Sequence, residues 1–184
     1  MAAYPPELGT ISGRAVGVGL VAAAAGTERA LAETRPSRLI LVGTAGALPG
    51  SRLAIGSIVV VARAQLIVRP GEYVPAIMSS VAEADEALAG ECARRLGAPL
   101  VTAASGIGIT SSDEEATRLG ATAQIEHLES FAVLSVAWQR VPATAVLAIA
   151  NGVGSRAQEE WRANRVAAEA AAMAAVAKLV ASSD

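Results

Sequence analysis

The chain has 184 residues, of which 53% are hydrophobic and only 17% charged, and its formal net charge is −2. This composition excludes intrinsic disorder, and the length suits a single domain, residues 1–184, with a core of its own. Aromatic residues make up 3%, the charges nearly balance, and there is one Cys and one His, so we expect no nucleic-acid partner, no disulfide framework and no metal site built from Cys and His.

Apolar runs rich in Val and Ile alternate along the chain with alanine-rich stretches. We predict strands buried on both faces for the apolar runs, which are residues 14–19, 38–43, 56–68, 98–104 and 142–150. We predict helices for the alanine-rich stretches, which are residues 21–33, 81–96, 113–119, 128–140 and 158–180, and place a helix start at 125–130. Strands that alternate with helices predict a mostly parallel α/β sheet.

No apolar run reaches the roughly 20 residues that a helix needs to cross a bilayer. Residues 1–7 contain no basic segment followed by an apolar one, so no signal peptide is predicted. We therefore expect a cytoplasmic protein that does not contact a membrane.

Two glycine turns follow predicted strands, where α/β proteins bind ligands. Gly17-Val-Gly19 continues to Ala22 in a pattern compatible with a dinucleotide, but the next strand ends without the acidic residue that binds a ribose. The turn from Gly43 to Gly46 lacks the Lys of a phosphate-binding P-loop. A tight turn that requires small residues is the alternative for both.

Two polar positions lie in otherwise apolar surroundings. Glu129 precedes a strongly apolar stretch, and a carboxylate on a buried helix needs a partner, such as a pair of ligand hydroxyls. Charge at a helix N-terminus is the alternative explanation. Asn151 ends the last predicted strand and is followed by glycine, which is also typical of a plain turn.

These motifs, in their order and spacing, resemble those of the nucleoside phosphorylase and nucleosidase superfamily. The matching segments are Ala3-Tyr-Pro-Pro-Glu7-Leu8, Gly17-Val-Gly19, Gly43-Thr-Ala-Gly46, Ile55-Gly-Ser-Ile-Val-Val60, His127-Leu-Glu129 and Ile149-Ala-Asn151. The segment from Asn151 through Arg156 to Trp161 is most similar to futalosine hydrolases. The resemblance implies a single-domain, three-layer α/β/α fold around a mostly parallel central mixed sheet.

The resemblance also implies a role for each site residue in the cleavage of a purine nucleoside, and we expect no cofactor and no metal. Glu7 would act as general base on water, and Asn151 would stabilise the departing base. Glu129 would bind the ribose hydroxyls together with Leu128 and Thr44. The base and the rest of the substrate would contact Gly46, Ile109, Thr110, Phe131 and Arg156.

The amide of Asn151 presents both a donor and an acceptor, which suits a 6-oxopurine better than adenine. Leu41 stands where phosphorylases of the family carry an Arg for phosphate. We therefore expect hydrolysis of futalosine to hypoxanthine, within menaquinone synthesis, by a homodimer. The alternatives are a methylthioadenosine/S-adenosylhomocysteine nucleosidase, a phosphate-dependent purine nucleoside phosphorylase and a non-catalytic nucleoside-binding relative.

Overall fold

The computed structural model describes residues 1–3, 13–67 and 79–181. The helices are α1 (Leu20–Thr34), α2 (Glu86–Leu96), α3 (Asp113–Gly120), α4 (Ser130–Ala137) and α5 (Ala157–Ala181). The strands are β1 (Leu39–Ala47), β2 (Ile58–Leu66), β3 (Val81–Glu83), β4 (Leu100–Ser105), β5 (Ile125–Glu126) and β6 (Ala143–Gly152).

The strands form one mixed sheet in the order β3-β2-β4-β5-β1-β6. Its two longest pairings, β1 with β6 and β2 with β4, are parallel. Strand β2 also pairs antiparallel with β6, so that five strands close into a ring and β3 extends it at β2. A register shift between Val61 and Arg63 marks the irregularity that allows β2 to serve both neighbours.

The core has one layer on each side of the sheet, because side chains along β6 alternate between the two faces. Leu147 and Ile149 belong to a cluster with α1 and α4, whereas Val146 and Ala148 belong to a cluster with α2 and α5. The expected three-layer α/β/α architecture is confirmed. In the ranges given above, no helix combines the length and the apolarity that a membrane span requires.

The predicted helix over 81–96 was wrong at its start. Residues 81–83 form β3, which pairs antiparallel with β2. Helix α2 begins only after Asp85, whose side chain accepts a hydrogen bond from the backbone N–H of Leu88 at 2.8 Å. The N-cap therefore separates strand from helix.

The predicted helix start at 125–130 was also wrong. Ile125 and Glu126 form β5, which pairs with the carboxyl ends of β1 and β4, and α4 begins at Ser130 with Glu129 as its N-cap. The predicted strand over 14–19 is reduced to one bridge between Ala15 and Ala2. For residues 81–83 and 125–126, pairing with strands distant in the chain, which local sequence does not encode, decides the structure.

Candidate active site

A pocket of about 260 Å³ opens at the carboxyl ends of β1, β5 and β6. Six of the residues predicted for the site line it: Thr44, Gly46, Ile109, Leu128, Glu129 and Asn151. Four further polar or aromatic side chains in its wall were not predicted for the site: Glu126, His127, Gln158 and Trp161. The sheet therefore gathers residues that lie more than a hundred positions apart in the chain.

Glu129 is buried in the connection between β5 and α4. Its Oε1 accepts a hydrogen bond from the backbone N–H of Gly19 at 2.7 Å, and its Oε2 lies 3.3 Å from Nε2 of His127. Gly19 adopts φ 82°, a conformation that glycine reaches without strain. The first glycine turn thus presents an N–H to this carboxylate, which explains the turn without a dinucleotide.

His127 is enclosed by neutral partners and one carboxylate. Its Nδ1 lies 2.8 Å from Oγ of Ser130, and its backbone carbonyl accepts a hydrogen bond from the Ser105 hydroxyl at 2.6 Å. Burial lowers the pKa of His127, and the nearby charge of Glu129 opposes that shift. Burial therefore favours the neutral form of this imidazole.

Asn151 stands at the end of β6, opposite Gly46 of β1. Its Nδ2 donates a hydrogen bond to the carbonyl of Gly152 at 2.8 Å, while Oδ1 accepts none from the described part of the chain. A Cβ on Gly46 would lie 2.9 Å from Nδ2 of Asn151 and 2.7 Å from Cγ2 of Val153. Glycine at this position leaves room for the amide at the pocket wall.

Thr44 is held in place by a hydrogen bond from the N-terminal part of α5. The indole Nε1–H of Trp161 donates to Oγ1 of Thr44 at 3.2 Å, and the guanidinium of Arg165 lies 5.1 Å from the centre of the indole ring. Trp161 belongs to the segment that resembles futalosine hydrolases, so the sequence did contain a signal for its place at the site.

Glu126 lies in β5 beside Gly46 of β1 and lines the pocket. Both of its carboxylate oxygens accept from the backbone N–H of Thr110 at 3.1 Å, and Oε1 also accepts from the Thr110 hydroxyl. Burial raises the pKa of Glu126, although the hydrogen bonds from Thr110 act in the opposite direction. Thr110 therefore serves this carboxylate, and its neighbour Ile109 contributes to the pocket lining.

Two further residues predicted for the site lie outside the pocket lining. Phe131 packs against the core, and its backbone N–H donates to Oγ of Ser105 at 3.2 Å. Arg156 is exposed and lies 3.5 Å from Glu160, outside the pocket lining. Glu7 falls outside the described residues.

Comparison with solved structures gives the same fold. A methylthioadenosine/S-adenosylhomocysteine nucleosidase from Colwellia psychrerythraea, in complex with adenine, is similar at a TM-score of 0.85 and 16% identity, over 98% of this chain and 92% of that one. The corresponding nucleosidase from Neisseria meningitidis, in complex with methylthio-immucillin-A, gives a TM-score of 0.79 and 22% identity, over 90% and 78%. Futalosine hydrolase from Helicobacter pylori gives 0.79 and 19%, over 90% and 77%.

No curated protein sequence matches the chain. The sequence model of one family, described as the Phosphorylase superfamily, matches residues 10–183. That match covers nearly the whole chain and agrees with the order of motifs, the closed mixed sheet and the position of the pocket. The chain belongs to the Phosphorylase superfamily.

Proposed function

We propose that this protein hydrolyses the N-glycosidic bond of a purine nucleoside. The observation that carries the proposal is Glu129, a buried carboxylate in the pocket wall that is held from behind by Gly19 and His127. Each carboxylate oxygen has two acceptor sites, so acceptor sites remain for two hydroxyl groups. A ribose with free 2′ and 3′ hydroxyls fits this acceptor pair.

Water is the proposed nucleophile. Among the described residues that line the pocket, the ionisable side chains are Glu126, His127 and Glu129, and none is Arg or Lys. Two carboxylates and a neutral imidazole disfavour a phosphate ion, which binds to Arg or to a dense set of N–H groups. Cleavage then passes through an oxocarbenium-like sugar, to which water adds at C1′ while the electron pair of the broken bond leaves with the purine.

Glu7 is the proposed general base that accepts the proton of that water, as the resemblance to the superfamily implies. It precedes the first glycine turn in sequence, and Ala3 and Val18 on either side of it line the pocket. Replacing Glu7 with Gln should abolish turnover while leaving nucleoside binding within about threefold, since Gln keeps the shape of the side chain and loses the base. Turnover equal to that of the wild type would remove Glu7 from the mechanism.

Hypoxanthine is the proposed leaving base, and futalosine the proposed substrate. Oδ1 of Asn151, which accepts no hydrogen bond from the residues that the structure describes, can accept from N1–H of a 6-oxopurine, and the second amide N–H can donate to O6 or N7. An Asn in this place has no proton to give to the ring nitrogen of adenine. The similarity of residues 151–161 to futalosine hydrolases supports the same choice.

The experiment is base release from futalosine, inosine and methylthioadenosine, each with and without phosphate, followed by chromatography. The proposal expects hypoxanthine from futalosine at a rate that phosphate does not change. Release of adenine from methylthioadenosine would support nucleosidase activity but would overturn the base preference assigned to Asn151. Release only with phosphate would make the protein a phosphorylase, and release from none would support a non-catalytic relative.

A cytoplasmic homodimer is the proposed assembly. Val18 and Ile109, which line the pocket, are 63% and 56% exposed, and Val21 on the adjoining turn of α1 is 84% exposed. Exposed apolar side chains at a pocket mouth are typical of surfaces that another chain covers. Light scattering at micromolar concentration should give twice the mass of one chain, and the mass of a monomer would contradict the proposal.

A further inference from the structure

His127 has a defined partner at each ring nitrogen, although it is almost completely buried. Nδ1 lies 2.8 Å from Oγ of Ser130, and Nε2 lies 3.3 Å from Oε2 of Glu129. The backbone of His127 is fixed as well, because its N–H donates to Ala104 at 3.0 Å and its carbonyl accepts from Ser105. The ring is therefore held in one place beside the carboxylate.

The hydrogen-bond inventory selects one tautomer. Among the described residues, the buried Ser130 hydroxyl has Nδ1 of His127 as its hydrogen-bond partner, and we assign the hydroxyl as the donor and Nδ1 as the acceptor. A neutral imidazole with a free Nδ1 carries its proton on Nε2, which is the atom that faces Glu129. The opposite tautomer would place a nitrogen lone pair 3.3 Å from a carboxylate oxygen, and the Ser130 proton would then have no acceptor among the described residues.

The charges around the ring agree with a neutral donor. Glu129 is the charged group that acts on His127, and Glu126, next to it in the chain, turns its carboxylate to Thr110 instead. Because burial outweighs the attraction of Glu129, the pKa of His127 lies below its ordinary value. The neutral ring thus brings Nε2 within 3.3 Å of Oε2 of Glu129 without adding a full positive charge that would neutralise the carboxylate.

We propose that His127 is a positioning residue, whose Nε2–H holds the Glu129 carboxylate in the orientation that receives the hydroxyl groups of the substrate. This inference rests on the proposed function of Glu129. Gly19 donates to Oε1, His127 contacts Oε2, and the same side chain lines the pocket. Ser130 thus orients His127, and His127 orients Glu129, which is the residue proposed to contact the ligand.

The first test compares two substitutions at this position. His127→Gln keeps an amide N–H near the place of Nε2, whereas His127→Leu keeps the bulk and removes the donor. We expect His127→Leu to raise KM about tenfold with a smaller change in kcat, because the loss of a hydrogen bond to a charged group costs about that factor in binding. We expect the KM of His127→Gln to lie within about threefold of the wild-type value. Equal KM values for the two variants would overturn the proposal.

The second test needs no substrate and uses the fact that the chain has one histidine. In a ¹⁵N spectrum of the whole protein at pH 7.5, Nε2 should carry the proton and Nδ1 should not. Glu129→Gln should lower the pKa of His127, because the charge that raises it is gone, and Ser130→Ala should increase the fraction with the proton on Nδ1.

These outcomes distinguish the positioning role of His127 from the proposed nucleosidase function. A proton on Nδ1 in the wild type, or a pKa of His127 that Glu129→Gln leaves unchanged, would overturn the positioning role even in an active nucleosidase. The expected spectra together with no cleavage of any nucleoside would leave the His127–Glu129 pair intact and count against the proposed function alone. The variants can be checked for folding by circular dichroism before either test.

Discussion

Two buried carboxylates, Glu126 and Glu129, stand three positions apart in the wall of one pocket and are used differently. Glu126 is 7% exposed and accepts its hydrogen bonds from Thr110, by both the backbone N–H and the hydroxyl. Glu129 is 5% exposed, accepts one backbone N–H from Gly19 and faces His127. One carboxylate is satisfied by a neighbouring loop, and the other keeps acceptor sites for a ligand.

The difference shows that burial alone does not identify a functional carboxylate. A buried charge must be hydrogen-bonded, and what matters is whether its partners leave lone pairs that face a cavity. Glu126 fastens residues 106–112 to the sheet, and that loop carries Ile109 into the pocket. Glu129 is held in place by the N–H of Gly19 and the imidazole of His127. A side chain that is fixed by such contacts while it lines a pocket is suited to bind a ligand.

The largest expected effect is the difference in kcat/KM between substitutions of Glu129 and of Glu126. Glu129→Gln should reduce kcat/KM for a purine nucleoside by about 100-fold, because two hydrogen bonds to a charged acceptor are weakened. Glu126→Gln, the matched control, should reduce it by less than about tenfold, since the Thr110 contacts survive in part. Steady-state kinetics checks both, and equal losses would make the distinction wrong.

The next effect concerns the close approach of Gly46 and Asn151 at the ends of β1 and β6. Gly46→Ala places a Cβ within 2.9 Å of Nδ2 of Asn151, and the displaced amide should lower kcat/KM about tenfold. Gly90→Ala in α2 is the control, because nothing lies within 4 Å of its Cβ position. It should raise the free energy of unfolding by about 1 kcal/mol and leave kinetics unchanged. If both variants turn over like the wild type, the close approach at Gly46 has no role in the site.

A smaller effect tests whether Glu126 serves the fold. Thr110→Val removes the hydroxyl donor to Glu126 and should lower the free energy of unfolding by about 1–2 kcal/mol, measured in urea, with turnover within about threefold. Thr117→Val in α3 removes an exposed hydroxyl that bonds within its own helix and should change stability by less than about 0.5 kcal/mol. A large loss of turnover in Thr110→Val would place Glu126 and its loop in the catalytic machinery.

The smallest effect is the pH dependence, and it has opposite signs at neighbouring positions. The pKa of Glu126 lies above its ordinary value of 4.5, so the folded state holds the proton longer and wild type loses stability relative to Glu126→Gln as pH rises above 4.5. The pKa of His127 lies below 6.5, so the unfolded state binds the proton first and wild type loses stability relative to His127→Gln as pH falls below 6.5.

Urea unfolding at a series of pH values checks both differences. The two difference curves should slope in opposite directions, because burial disfavours the charged form of an acid and of a base alike. Two curves of the same sign would contradict the burial of one of these groups.

Much of this site could be predicted from sequence, for reasons that particular residues make clear. Thr44, Gly46 and Asn151 end long apolar runs, so their position at the carboxyl edge of the sheet follows from the pattern. Glu126 was missed because β5 has two residues and is held by strands far away in the chain, so no local pattern marks it. Phe131 was placed at the site because it follows the Glu129 motif, whereas the start of α4 turns it toward the core.

The central claim is that Glu129 binds the hydroxyls of a ribose, and a double-mutant cycle on substrate and protein tests it most directly. Inosine and 2′,3′-dideoxyinosine would be titrated calorimetrically into the wild type and Glu129→Gln, in short experiments that limit cleavage. We expect removal of the hydroxyls to weaken binding to the wild type about 100-fold and to Glu129→Gln less than about threefold. If the two losses simply multiply, Glu129 and the hydroxyls do not interact, and Glu129 is not the ribose-binding residue.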